Sequence, residues 1–172
     1  MIETVLYSYL FHNTFKIVEQ YKNKKTRKEL KNIFNAYIDF NNLVRIIRLK
    51  KYYNPDEDYI RDSLFPYGTI SNKKLESLIQ AKSIDEIHSI VQTTTFGKLI
   101  SGIEYDYIDE LPTKVKFAKC KHFIRYSVNP PVVMLSYILL TELELSNIIN
   151  IIEGIRYKLP KDEIKKMLNY EQ

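Results

Sequence analysis

Two segments of this chain carry nearly the same text. NLVRIIRLKKYYNP, residues 42–55, lies on NIINIIEGIRYKLP, residues 147–160, without a gap. Asn42 meets Asn147, Ile46 meets Ile151, Ile47 meets Ile152, Tyr52 meets Tyr157 and Pro55 meets Pro160. Leu43/Ile148, Val44/Ile149 and Lys51/Arg156 are conservative pairs. After a one-residue insertion, Ile60 and Leu64 match Ile164 and Leu168. Each copy reads as a long helix, a short turn marked by proline, and a short helix that begins with acids and carries Ile and Leu. A chain that repeats one packing unit is restricted to architectures assembled from such units, here two pseudo-equivalent helical lobes.

The punctuation of the chain agrees. Its 172 residues include four glycines and six prolines, too few turn formers for an all-β fold. Apolar residues recur at helical spacing over Val5, Leu6, Tyr9, Leu10, Phe15, Ile17 and Val18. A basic joint at 21–32 follows, and then Leu30, Ile33, Phe34, Tyr37, Ile38, Leu43, Val44, Ile46 and Ile47 form a stripe wide enough for more than one neighbour. Pro55 is expected in the first turn of the next helix. Ser71 is expected as an N-cap, and Ser83 with Glu86 as a capping box. TTTFGKLI (93–100) is expected to start another short helix, and a further helix is expected after Pro112. The longest helix pattern runs over 131–158, with Pro160 in the first turn of a closing helix, DEIKKML. No segment alternates with period two. The expectation is an all-α protein with one lobe at 1–95 and a second at 96–172.

Several function classes lose their support in the residues themselves. There is no GxxxxGK[ST] phosphate loop and no GxGxxG. His12, His88 and His122 are scattered, and Cys120-Lys121-His122 lacks a second ligand pair at metal spacing. Glu142 and Glu144 stand two apart on a helix and face different directions, which removes a shared acid–base site. Asp56, Glu57 and Asp58 are helix-start acids. No catalytic, metal or cofactor site is expected, and so no enzyme. The lone Cys120 cannot form an internal disulfide, and MIETVLYSYLFHNTFKIV has no basic start or small-residue cleavage site. VVMLSYILL (132–140) is too short a run to span a bilayer and leads into Glu142 and Glu144. It is expected as a buried helix segment of a soluble, cytoplasmic protein.

The net charge of +5 admits a basic helical nucleic-acid-binding protein, with KNKKTRKELK as its best segment. Acids and tyrosines return directly after that segment, which suits a solvated joint better, so nucleic acid is not the expected partner. A generic helical scaffold is a third reading. More informative are the polar residues set into the repeated helices: Asn42, Arg45 and Arg48 in one copy, Asn147 and Arg156 in the other. They are candidates for partner binding. The competing structural reading is hydrogen bonding that fixes helix register.

Taken in order, several stretches resemble one family. TELELSNIINIIEGIRYKLPKDEIKKML (141–168) is similar to the C-terminal end of the C-type subunit of V-type and archaeal-type rotary ATPases, the d-type subunit of eukaryotic V-ATPases. There an acid-rich long helix leads through a GLP-like turn into an EEIR-like helix. IDFNNLVRIIRLKK (38–51) resembles the family's IDLTNIKTLLRAKK. LFPYGTIS resembles its loop between lobes, TTTFGKLI a TPYG segment that starts a helix, and NPPVVMLSYILLTELE the entry to its last lobe. The resemblance covers about residues 30–168. It implies part of a three-lobe, funnel-like body of which this chain would carry the second and third lobes. It further implies a non-catalytic central-stalk or rotor connector without cofactors. Such a connector links central-shaft subunits to the membrane proteolipid ring, in proton or sodium transport coupled to ATP hydrolysis or synthesis. Membrane contact would be indirect. Ser146 and Asn150 stand where the family has basic residues beside its last asparagine.

Overall fold

The computed structural model describes residues 2–93 and 111–168. Every regular element among them is helical: α1 Ile2–Glu19, α2 Lys24–Tyr52, α3 Glu57–Ser63, α4 Asn72–Gln80, α5 Ile84–Gln92, α6 Leu111–Tyr126, α7 Pro130–Arg156 and α8 Lys161–Lys166. The chain divides into two compact units, Met1–Pro112 and Thr113–Gln172. The all-α expectation holds. The lobe boundary expected at 95/96 and the helix expected from TTTFGKLI fall outside the described residues.

The basic stretch at 21–32 is helix rather than joint for most of its length. Asn23 caps α2, its side-chain oxygen accepting from the backbone N–H groups of Lys25 (2.8 Å) and Thr26 (3.3 Å). Lys, Arg and Glu are good helix formers, so the helix runs from there without interruption. With 29 residues against 27 for α7, α2 is the longest described helix, contrary to the expectation for 131–158.

The prolines sit one or two positions away from where they were expected. Pro55 precedes Asp56, which caps α3 by accepting from Tyr59 N–H at 2.7 Å. Pro160 occupies the N-cap of α8, and Pro112 lies inside the first turn of α6. Pro130 and Pro131 open α7, where a missing N–H leaves no helical bond unmade. Ser71 is at the N-cap of α4 without a side-chain bond. Ser83 does cap α5, accepting from Glu86 N–H at 3.1 Å, while the Glu86 carboxylate reaches back to Lys82 N–H at 2.8 Å.

In the first unit, Phe11 of α1, Ile38 of α2 and Phe65 form a buried cluster, flanked by Phe15, Tyr37 and Tyr67. Phe11 meets Phe65 edge-on at 5.4 Å. In the second unit, Val115, Cys120 and Phe123 of α6 are buried, as are Val132, Ser136, Leu143 and Asn147 of α7. The run 132–140 is therefore not a buried segment. One side of it is inside, but Met134, Tyr137 and Ile138 are exposed. Nor does its shortness decide anything, because it continues into a 27-residue helix that is long and apolar enough, by length and composition alone, to cross a membrane.

Candidate partner interface

Both copies of the repeat end in the same backbone closure. Asn54 N–H donates to Leu49 O at 2.8 Å, and Leu159 N–H donates to Gly154 O at 2.9 Å. Positions 49 and 154, and 54 and 159, are equivalent in the sequence alignment of the copies. They differ in where the backbone turns left-handed: at Asn54 (φ 42°) in the first and at Lys158 (φ 56°), the counterpart of Tyr53, in the second. The second stop thus begins one residue earlier.

The repeated asparagines are both interior, 1% exposed at Asn42 and 2% at Asn147. The Asn42 amide donates to Phe65 O (3.1 Å) and accepts from Phe65 N–H (2.8 Å). The chain leaving α3 is thereby fixed to the middle of α2. By the repeat, the counterpart of Phe65 for Asn147 is residue 169, outside the described residues. Arg45 acts on the same segment: it donates to Ser63 O (2.6 Å) and to Thr4 Oγ1 (2.9 Å), and its guanidinium lies 4.6 Å from the centre of the Phe65 ring. The structure therefore brings Asn42 and Arg45 together on Phe65. Arg48 and Arg156 are exposed on separate helices, Arg156 with its guanidinium 5.9 Å from the Tyr157 ring.

A polar residue that sequence reasoning misses is Asp39. It is buried, and its carboxylate accepts from Thr69 N–H (2.8 and 2.9 Å), Thr69 Oγ (2.7 Å) and Ile70 N–H (3.2 Å). Burial pushes its pKa up, against those hydrogen bonds, which pull it down. Gly68 passes so close, at φ 126°, that a Cβ there would stand 2.2 Å from Asp39 Oδ1. The available signal was an acid inside an apolar stripe together with a Pro-Tyr-Gly-Thr turn.

Three cations of the basic segment, Lys25, Arg27 and Lys31, are engaged internally. Glu19 pairs with Lys31 and, at 3.7 Å, with Arg27; Lys25 lies 4.0 Å from Glu29. Arg27 also donates to the carbonyls of Tyr21 and Lys22 in the connection between α1 and α2. Among the described residues no three His, Cys, Asp or Glu side chains are grouped to hold a metal. The His12 ring shares a hydrogen bond of 3.0 Å with Tyr67 Oη, and burial pushes the Cys120 thiol up to about 11, far from a reactive thiolate. These arrangements position helices and loops; none joins a nucleophile to a base.

What the molecule does offer is apolar surface. On α7, Met134, Tyr137, Ile138, Leu145, Ile148, Ile149, Ile152 and Ile155 are exposed; on α1, Val5, Leu6, Tyr9, Leu10 and Ile17 are. The α2 counterparts of Ile138, Leu145, Ile148, Ile149 and Ile152 are Ile33, Phe40, Leu43, Val44 and Ile47, and all five are buried. The same text is interior in one unit and exterior in the other. Apolar faces this long are candidate contact surfaces.

Comparison with curated proteins and with solved structures gives no match. Residues 1–167, including residues 1–29 that the motif-by-motif resemblance left out, match the family model described as ATP synthase (C/AC39) subunit, and the chain belongs to that family of V/A-type ATP synthase subunits.

Proposed function

We propose that the chain is a non-catalytic central-stalk connector of a V/A-type rotary ATPase. In this reading it links the central-shaft subunits to the membrane proteolipid ring and transmits torque between ATP turnover and proton or sodium transport. The observation that carries the reading is family membership across nearly the whole chain. The construction of the molecule supports it. The long helix α2 is tied by the buried Asn42 amide to Phe65 and by ion pairs to Glu19 of α1, and apolar faces are left exposed for partners. A connector must resist bending and fit its neighbours, and packed helices with interior polar ties serve both needs.

Partners on this reading are the shaft subunits and the ring, with the chain on the cytoplasmic side and its membrane contact made through the complex. Arg48 and Arg156, both exposed, are the docking cations; Asn42, Arg45 and Asn147 hold from within the helices that present them. Nucleic acid is not a proposed partner, since cations of the basic segment are shared with Glu19, Glu29 and backbone carbonyls.

The test is co-purification of the chain with detergent-solubilised proteolipid ring and shaft subunits at moderate salt, after circular dichroism has shown it helical. Retention on the ring or shaft is expected. A folded chain that elutes separately from both contradicts the proposal.

A further inference from the structure

The outer face of α1 is apolar and broad. Val5, Leu6, Tyr9, Leu10 and Ile17 are exposed there, from 54% at Leu10 to 71% at Tyr9, while Phe11 and Val18 are buried on the other side. Val5, Tyr9 and Lys16 follow spacings of four and seven, and so do Leu6, Leu10 and Ile17, which makes two rows about 100° apart around the helix. One row ends in Lys16 and the other in Ile17. A partner helix covers a single narrow seam, whereas two apolar rows side by side suit a flat apolar medium.

The free charges beside this face are of one sign. Residues 1–32 hold seven Lys and Arg against three Glu, which is +4 of the chain's +5. Glu19, the only acid between residues 4 and 28, is held by Lys31 and Arg27, and Arg27 also bonds the carbonyls of Tyr21 and Lys22. These ties fix the start of α2 against the end of α1. Lys24 and Lys28 stand one turn apart on α2, beside the Arg27–Lys31 row that holds Glu19. Lys16, Lys22, Lys24 and Lys28 are exposed and pair with no acid among the described residues. An apolar helix face with uncompensated lysines at its end is complementary to an anionic bilayer surface. The apolar side chains enter the headgroup boundary, and the lysines, on long stems, meet the phosphates. Glu144 and Glu153, both exposed, flank the outer face of α7 and would be repelled by the same surface.

We propose that the outer face of α1, with Lys16, Lys22, Lys24 and Lys28 beside it, docks the chain directly on an anionic lipid surface. This adds a lipid contact of the chain's own to the one made through the complex. Vesicles without ring or shaft test it apart from the connector reading.

The experiment is flotation of the full chain with vesicles of phosphatidylcholine, alone or mixed in equal parts with phosphatidylglycerol. The chain should float with the mixed vesicles at low salt, stay behind with the neutral ones, and detach as salt rises. Lys22→Gln with Lys24→Gln and Lys28→Gln should weaken binding about a hundredfold. Leu6→Gln with Leu10→Gln should abolish it. All five residues are exposed, so circular dichroism of both variants should match the unaltered chain. Ile148→Gln with Ile152→Gln on α7 should leave binding unaltered. The chain has no tryptophan, so Tyr9→Trp supplies a single reporter whose emission should shift to the blue on mixed vesicles, and Ile152→Trp should show no shift. Equal binding to neutral vesicles, or loss of binding through the α7 pair and not the α1 pair, overturns the proposal. So does a folded chain that ignores the mixed vesicles; if its α1 variants then lose the shaft or ring subunits, the face belongs to a protein partner.

Discussion

Asn42 shows how much one side chain holds. Its amide satisfies both the donor and the acceptor of the buried Phe65 peptide unit, at 2.8 and 3.1 Å. Asn42→Ala orphans both groups, and we expect a loss of about 3 kcal/mol in urea unfolding of the full chain. Asp39 makes a prediction about pH. Burial raises its pKa above the ordinary 3.8, so the protonated form is favoured by folding. That contribution is complete below 3.8 and is lost as pH rises through the higher folded value. In Asp39→Asn, stability followed across the carboxylate range should lose this downward trend with rising pH; an unaltered trend would assign it to other groups. The repeat singles out Asn42 and Asn147 as either partner-binding or register-fixing, and for Asn42 the bonds to Phe65 tie it into the fold. Asp39 shows in the sequence only as an acid inside an apolar stripe; its partners Thr69 and Ile70 lie about thirty positions away and only the fold brings them to it. The sequence admits Arg45 as partner-facing or structural, and three contacts on Thr4, Ser63 and Phe65 place it among the internal ties.

Within the elements, the repeat accounts for both the likeness and the divergence of the two helix–turn–helix units. The closing hydrogen bonds at 49/54 and 154/159 join equivalent residues, yet Leu49 has become Gly154. The reason is α8: a Cβ on Gly154 would stand 2.6 Å from Ile164 Cγ1. Gly154→Ala should therefore push α8 off α7 and cost about 1–3 kcal/mol. Hydrogen exchange should be faster in Lys161–Lys166 while α2 and α3 are unaffected, and equal protection of α8 in both proteins would show that the close approach is not needed. Among the described residues the helices and their stops are readable because apolar spacing and proline survive in any context. Boundaries slip because Asn23 and Asp56 take the cap positions, a choice made by local hydrogen bonding rather than by composition. The interior of α7 is misjudged for a different reason: an apolar residue demands cover, but its identity does not say whether the cover comes from the same chain.

At the scale of the whole molecule, that distinction becomes the functional statement. A V/A-type ATP synthase subunit that buries its polar ties and leaves apolar faces outside has been shaped for assembly. The ordered motifs make the family readable across about residues 30–168, and the match extends it to 1–167. The contact surfaces are not readable, since the same Ile-rich text is core in α2 and surface in α7. The most direct test of the connector role is reconstitution of ATP-driven ion transport in vesicles from catalytic head, shaft and ring, with and without this chain. The account predicts that ATP hydrolysis by the head persists in both, and that transport occurs only when the chain is present. Transport at the same rate without it would contradict the account.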